Sequence, residues 1–282
     1  MPFENISSVD GLKQKANILR ISIIRMLEKA GSGHTAGSLG MADVFAALYF
    51  GVLRHEPKNP KWGERDRVVL SNGHICPVLY AALAECGYFE KEKLMHLREL
   101  GSPLQGHPHL GSVPGVETSS GPLGQGLSTA CGMALAAKID EKKHVVFCLT
   151  SDGEHQEGQT WEAAMLAAKY KLGNLVQIID RNYIQIDGKT VDVMPLTPLA
   201  EKYKAFNWNV EIVDGNDMEK IYNVLKKAAE KARDGCRCAP TVIIADTVAG
   251  KGIKSIEGDY KWHGIAPKGE EAKKMLEELG AK

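Results

Sequence analysis

The chain has 282 residues, with 35 Lys and Arg set against 35 Asp and Glu, a formal net charge of zero and 44% hydrophobic residues. That balance argues against a nucleic-acid or membrane-surface protein, which needs a basic face, while the hydrophobic content is ample for a large core. No apolar run approaches the roughly 18 residues of a membrane span, so no membrane association is expected.

From the N-terminus, Leu12, Ala16, Leu19, Ile23 and Leu27 recur at helical spacing, and the Gly31-Ser32-Gly33 segment ends that helix. "MADVFAALYFGVL" and "PVLYAALAECGY" read as two further apolar helices, so the first third is expected to be helical. Residues 101–122, rich in Gly, Pro, Ser and His, read as an ordered loop. "LGQGLSTACGMALAAKI" then gives a helix of small side chains suited to close packing. The second half alternates strand and helix: "HVVFCLT", "TWEAAMLAAKYKL", "NLVQIID", "NVEIVDG", "MEKIYNVLKKAAEKARD" and "TVIIADTVAG". Such alternation predicts βαβ units, hence an α/β fold with a parallel sheet flanked by helices. We read residues 1–282 as one domain, with a mobile tail expected from about residue 268.

The first 19 residues lack a basic segment followed by an apolar one, so no secretory leader is expected. The six cysteines are scattered, and Cys236 and Cys238 form a lone C-x-C pair, which we take as a loop accident rather than a zinc motif. The chain is expected to be cytoplasmic, with reduced thiols.

Two positions carry the clearest chemistry. Asp152 closes one predicted strand and Asn182 follows the next, with a helix between them, enough for one right-handed crossover. In neighbouring strands the two would stand side by side at the carboxyl ends, where open α/β sheets bind ligands. A carboxylate, an amide oxygen and a nearby carbonyl make a hard-oxygen half-shell suited to Mg²⁺. The plainer alternative is that Asp152 caps the following helix and Asn182 starts a turn. Four of nine histidines directly abut glycine: His34, His74, His107 and His263. Imidazoles held in tight turns can be aimed at a ligand and can move protons near neutral pH. His55, His96, His109, His144 and His155 take a structural reading, and Lys251 that of a solvated loop lysine.

"SDGEHQEG" followed by "DRNYIQIDG" resembles the diphosphate-binding signature of thiamine-diphosphate enzymes, most closely the transketolase family. "SGHTAGSLGMAD", "VLSNGHICPVLYAAL", "LQGHPH", "ETSSGPLGQGLSTACGMALA", "VAGKGI" and "WHGIAP" resemble transketolase segments in the family's order, from about residue 10 to 267. One departure is Ser151 where the family has the first Gly of Gly-Asp-Gly.

The resemblance implies thiamine diphosphate and Mg²⁺ as cofactors, with Asp152, Asn182 and the Ile184 carbonyl as metal ligands. It implies cofactor contacts from His74, Gly121, Pro122, Leu123, Asp152, Gly153, Glu154, Glu157, Asn182 and His263. His34, His107 and His263 are the implied catalytic residues facing the sugar hydroxyls, and Glu157 matches a glutamate at the subunit interface. The implied activity is transfer of a two-carbon ketol unit between sugar phosphates. The pyrimidine domain of full-length members is expected from a partner, the C-terminal transketolase subunit, in an α₂β₂ assembly. Deoxyxylulose-phosphate synthase-like or 2-oxoacid dehydrogenase-like subunits are the nearer alternatives, and a non-catalytic cofactor-binding module the farther one.

Overall fold

The computed structural model describes residues 3–234 and 238–281. Five parallel strands, β1 (Arg67–Leu70), β2 (Val146–Ser151), β3 (Leu175–Arg181), β6 (Asn209–Asp214) and β7 (Thr241–Asp246), pair in the order β1-β2-β3-β7-β6. A two-residue hairpin, β4 (Ile184–Gln185) with β5 (Gly188–Lys189), follows β3. The expected parallel α/β architecture is therefore present, and β2 and β3 are neighbours, with Ser151 opposite Asp180.

Alternation along the strands sends side chains to two separate apolar layers. Phe147 and Leu149 of β2 face one layer with Val176 and Ile178 of β3. That layer is completed by α1 (Val9–Ala30), α2 (Ala36–Gly40), α3 (Ala42–Ala47), α4 (Cys76–Cys86), α9 (Met218–Arg233) and α10 (Gly269–Glu278). Val146 and Cys148 face the other with Leu175 and Ile179, covered by α5 (Gly126–Ile139), α6 (Gly158–Lys169) and α8 (Leu199–Ala205). A short α7 (Thr190–Val193) follows the hairpin.

The sequence pattern of α1 explains its placement. Its five stripe residues are fully buried, each worth about 1.5–3 kcal/mol for the larger aliphatic side chains. Ser8 caps the N-terminus by accepting from Gly11 N, and Gly31, at φ 65°, ends the helix in the left-handed conformation. In α5 the small residues Ala130, Cys131, Ala134 and Ala137 are buried, which lets the helix lie close on the sheet.

Several expectations need correction. The first third is not wholly helical: Arg67–Leu70 forms β1, at one edge of the sheet. Its four residues are too short a run to show a period against the helix that follows. The helix expected over residues 41–53 passes into a π-helical turn at Leu48–Val52. In place of a tail from about residue 268, α10 buries Ala272 and Met275 in the layer shared with α1; its two anchors are spaced three apart, as one helix face requires. Residues 101–122 form the expected irregular segment, fastened by Ser120 N to Pro108 O at 3.0 Å and by burial of Leu104, Val113 and Val116. Cys236 lies outside the described residues; Cys76, Cys86, Cys131 and Cys148 are buried free thiols. Among the described residues, no helix is long and apolar enough to cross a membrane.

Candidate functional site

The carboxyl ends of β1, β2 and β3 bring three chain segments together: Ser71–His74, Ser151–Glu157 and Arg181–Ile184. Ser151 is the last residue of β2, in strand pairing with Asp180, so this position makes no demand for glycine. Asp152 is 2% exposed. Its Oδ1 accepts from Gly153 N and its Oδ2 from Tyr183 N, each at 2.8 Å. The second bond fastens the β2 end to the segment that carries Asn182 and Ile184. Asn182 donates to Asp180 Oδ2 at 2.8 Å and accepts from Ile184 N at 2.9 Å. The Ile184 carbonyl oxygen would stand 3.7 Å from a Cβ built on Gly153. The residues that carry the three expected oxygen donors are thus neighbours, whereas Gly153 N–H is engaged with Asp152.

These residues fit a hard divalent cation. Burial and the nearby Asp180 carboxylate push the Asp152 carboxyl up to about 7, and burial pushes Asp180 up to about 6. Neither carboxylate joins a salt bridge among the described residues; they are held by backbone N–H groups, Asn182 and Thr247. Two adjacent buried carboxyls with only neutral donors disfavour shared ionisation, and a bound divalent ion would reverse that preference. No cluster of three His, Cys, Asp or Glu side chains is placed to hold a metal among the described residues. The oxygen set of one carboxylate, one amide and one carbonyl is the kind Mg²⁺ takes with phosphate and water. Asp180 and Thr247, which orient Asn182 from behind, were not picked out in the sequence. An acidic residue two before the amide was the available signal.

The carboxylate of Glu154, an expected cofactor contact, is engaged within the chain. Fully buried, its carboxylate accepts from Gly124 N at 2.8 Å, Ser151 N at 3.1 Å and the Ser71 hydroxyl. Ser71 in turn accepts from Gly126 N at 3.0 Å. One side chain therefore ties the β1 end, the glycine-rich segment and the β2 end together, and both its oxygens are occupied within the chain. Glu157 is exposed; only its stem packs near Gly124, within 2.7 Å of a Cβ built there. Pro122 is exposed and Leu123 is 36% exposed, while a Cβ built on Gly121 would stand 3.9 Å from the His107 ring. His155 is a buried structural residue, as expected: its ring meets Ser151 O at 2.6 Å and Tyr203 OH at 2.8 Å. Lys251 Nζ faces Glu257 at 3.6 Å, and its carbonyl accepts from Arg20.

The four glycine-flanked histidines meet. The His34 ring stands 5.0 Å from His74, 5.4 Å from His263 and 6.5 Å from His107, and His74 is 5.2 Å from His263. Ile184, Ala36, Ala249 and Trp262 pack into one small apolar cluster, joining the oxygen donors to the chain beside His34 and His263. Burial, then the charges of His263, Arg98 and His107, push His34 down to about 4. Burial also lowers His74, His107 and His263, helped at His107 by Arg98. All four are accordingly neutral near pH 7, each able to donate at one nitrogen and accept at the other. His34 Nδ1 is buried without a partner, an open valence inside the cluster.

Comparisons with known proteins give the chain's family. The family profile described as "Transketolase, thiamine diphosphate binding domain" matches residues 12–282. One component of a 6-deoxy-6-sulfo-D-fructose transketolase from a Clostridium species is 41% identical over 90% of this chain and 90% of its own length. One component of an apulose-4-phosphate transketolase from Phocaeicola vulgatus is 39% identical over 96% of this chain and 94% of its own. The crystal structure of a transketolase from Campylobacter jejuni superposes with a TM-score of 0.89 at 36% identity, covering 98% of this chain and 43% of that one. The chain thus spans about two fifths of the length of the solved transketolases it matches. The strand order, the donors at the strand ends and these matches lead to one conclusion: the chain belongs to the transketolase family, as a form of its thiamine diphosphate-binding domain.

Proposed function

We propose that the chain is the N-terminal, diphosphate-binding subunit of a transketolase that passes a two-carbon ketol unit from a ketose phosphate to an aldose phosphate. The observation that supports this most is the joining of the Asp152, Asn182 and Ile184 segments at the ends of adjacent strands, linked by the Ile184, Ala36 and Trp262 cluster to the chain beside four clustered imidazoles.

In this reading Asp152, Asn182 and the Ile184 carbonyl hold Mg²⁺, and the metal holds the diphosphate. His74 and His263 border the diphosphate, with Gly121, Pro122 and Leu123 along one flank. When bound, thiamine diphosphate supplies the carbanion chemistry by which a carbon–carbon bond beside a carbonyl is broken and remade. The protein's own share is orientation and proton movement. His34, His107 and His263 are uncharged at neutral pH, so each can take a proton from a sugar hydroxyl at one nitrogen and return it as the bond rearranges. The unpartnered Nδ1 of His34 is a natural contact for one such hydroxyl. Glu154 shapes the site without touching substrate, by fixing the three segments that carry the ligands.

Glu157, Pro122 and Leu123 are assigned to an interface, where a partner chain supplies the pyrimidine-binding half and two such pairs form an α₂β₂ assembly. Relatives named as transketolase subunits, matched over nearly their whole length, support a split enzyme. Free buried thiols agree with a reducing, cytoplasmic setting. The experiment is reconstitution. The purified chain with thiamine diphosphate, Mg²⁺, fructose 6-phosphate and an aldose phosphate should transfer no ketol unit, and adding the partner should start transfer. Robust transfer by this chain free of any other polypeptide would refute the split-enzyme reading.

A further inference from the structure

Tyr183 stands between Asn182 and Ile184 and holds a φ of 61°, left-handed backbone that a bulky side chain seldom adopts. Such a conformation persists only where the surroundings over-determine it. Burial does not do so here, since Tyr183 is 50% exposed. Polar ties do. Its N–H donates to Asp152 Oδ2 at 2.8 Å, its carbonyl accepts from Thr190 N at 2.9 Å, and its phenol donates to Asp246 Oδ1 at 2.8 Å. One residue thus joins the end of β2, the start of α7 and the end of β7. Asp246 is itself fixed. It lies opposite Arg181 in the β3–β7 register, and Arg181 meets both its oxygens, Nε to Oδ1 at 2.5 Å and Nη2 to Oδ2 at 2.7 Å. The guanidinium also lies over the Tyr183 ring, 5.5 Å from its centre.

We propose that Tyr183, through its phenol on Asp246 and with Arg181 behind that carboxylate, is a positioning residue: it keeps the turn in the form that presents the Asn182 and Ile184 oxygens to a divalent cation. The proposal rests on the reading of Asp152, Asn182 and the Ile184 carbonyl as the metal ligands. Only Tyr183 separates Asn182 from Ile184, so rotation about its two soft backbone angles would turn one oxygen away from the other. Outer hydrogen bonds that stop such rotation are how proteins commonly orient metal ligands. Asp246 has a second effect. Arg181 is near enough to Asp152 for their charges to interact, and a bare guanidinium there would oppose a cation. Bidentate pairing with Asp246 offsets that charge.

Two measurements test this. The first needs neither turnover nor a partner: hydrogen exchange of the Tyr183 and Ile184 amides in the chain alone. Protection at both should fall about 10-fold in Tyr183→Phe, which loses one hydrogen bond and keeps the ring, while the amides within β2 and β3 stay as in wild type. Tyr183→Ala should lose more, and Tyr183→Gly, which takes the left-handed form without strain, should recover part of that loss. The second is calorimetry of thiamine diphosphate binding to the assembled enzyme across Mg²⁺ concentrations. The Mg²⁺ needed for half-saturation should rise about 10–100-fold in Tyr183→Phe and in Asp246→Asn. Tyr183→Phe combined with Asp246→Asn should be no worse than Asp246→Asn alone, because the two groups act as one. Exchange or Mg²⁺ dependence equal in Tyr183→Phe and wild type, or fully additive losses in the double variant, overturns the proposal. If the wild-type enzyme binds thiamine diphosphate equally well without any divalent ion, the metal reading fails, while the exchange rates still decide whether the phenol holds the turn.

Discussion

Asp152, Glu154 and Asp180 are each gripped by donors from within the chain, whereas the imidazoles beside them stand chiefly against one another, with one nitrogen left open. The first region is finished before any ligand arrives; the second is arranged but unsatisfied. The contrast teaches how a cofactor enzyme divides its labour. Ordering the anchor during folding removes that cost from binding, while polar atoms without internal partners mark where the reacting molecule completes the hydrogen bonding.

The contrast breaks most visibly at the imidazoles. His34→Ala or His107→Ala should lower turnover of the assembled enzyme by about 10²–10⁴, or weaken sugar binding, with little change in unfolding temperature or cofactor affinity. If both variants kept full turnover and KM, the open end would have no catalytic role. Acid should act on buried histidines outside the open cluster. Burial pushes His155 and His55 down to about 4, against an ordinary value of 6.5, so both are uncharged when folded. Unfolding lets them bind protons below 6.5. Each thus contributes stability that is whole above about pH 6.5 and is lost as pH falls through 4, up to about 3 kcal/mol apiece. Denaturant midpoints at successive pH values measure it, and His155→Gln should flatten the slope; an unaltered slope in that variant would remove His155 from the account.

Asp152→Ala should weaken Mg²⁺-dependent binding of thiamine diphosphate by more than about 100-fold, beyond what loss of a residue supporting a metal ligand costs. Calorimetry on the assembled enzyme decides; unaltered affinity would sink the metal assignment. Smaller again, Glu154→Gln should cost about 2 kcal/mol of stability, because an amide cannot accept all three bonds as strongly as a carboxylate. Exposed Glu157→Gln should stay within about 0.5 kcal/mol in the isolated chain. Equal losses at the two positions would erase the distinction between anchor and rim.

How much of this was legible beforehand depended on the kind of signal. Long periodic stretches such as α1, and the strand–helix alternation of the second half, declared themselves because burial repeats along them. Asp152 and Asn182 were legible because strand ends are fixed points, and the histidines because glycine flanks them. The four residues of β1 and the two-residue strands of the hairpin are too short to show a period. The role of Glu154 could not be separated from that of Glu157, since nothing local says which carboxylate turns inward when both lie in one turn. Tyr183 carried no signal of its own, because its hold on Asp246 arises only when the ends of β3 and β7 meet.

The reach of the Glu154 carboxylate along the chain carries a kinetic consequence. It joins Ser71, 83 residues away, and Gly124, 30 residues away, through one group. Such long closures come at an entropic disadvantage early in folding, so contacts of high sequence separation form late. β1 must already lie beside β2 before this carboxylate finds its partners, and until then it is a charge whose burial opposes collapse. The active end of the chain is therefore expected to be the last part to set, and protection of the Gly124 and Ser151 amides from hydrogen exchange should trail that of the central strands during refolding.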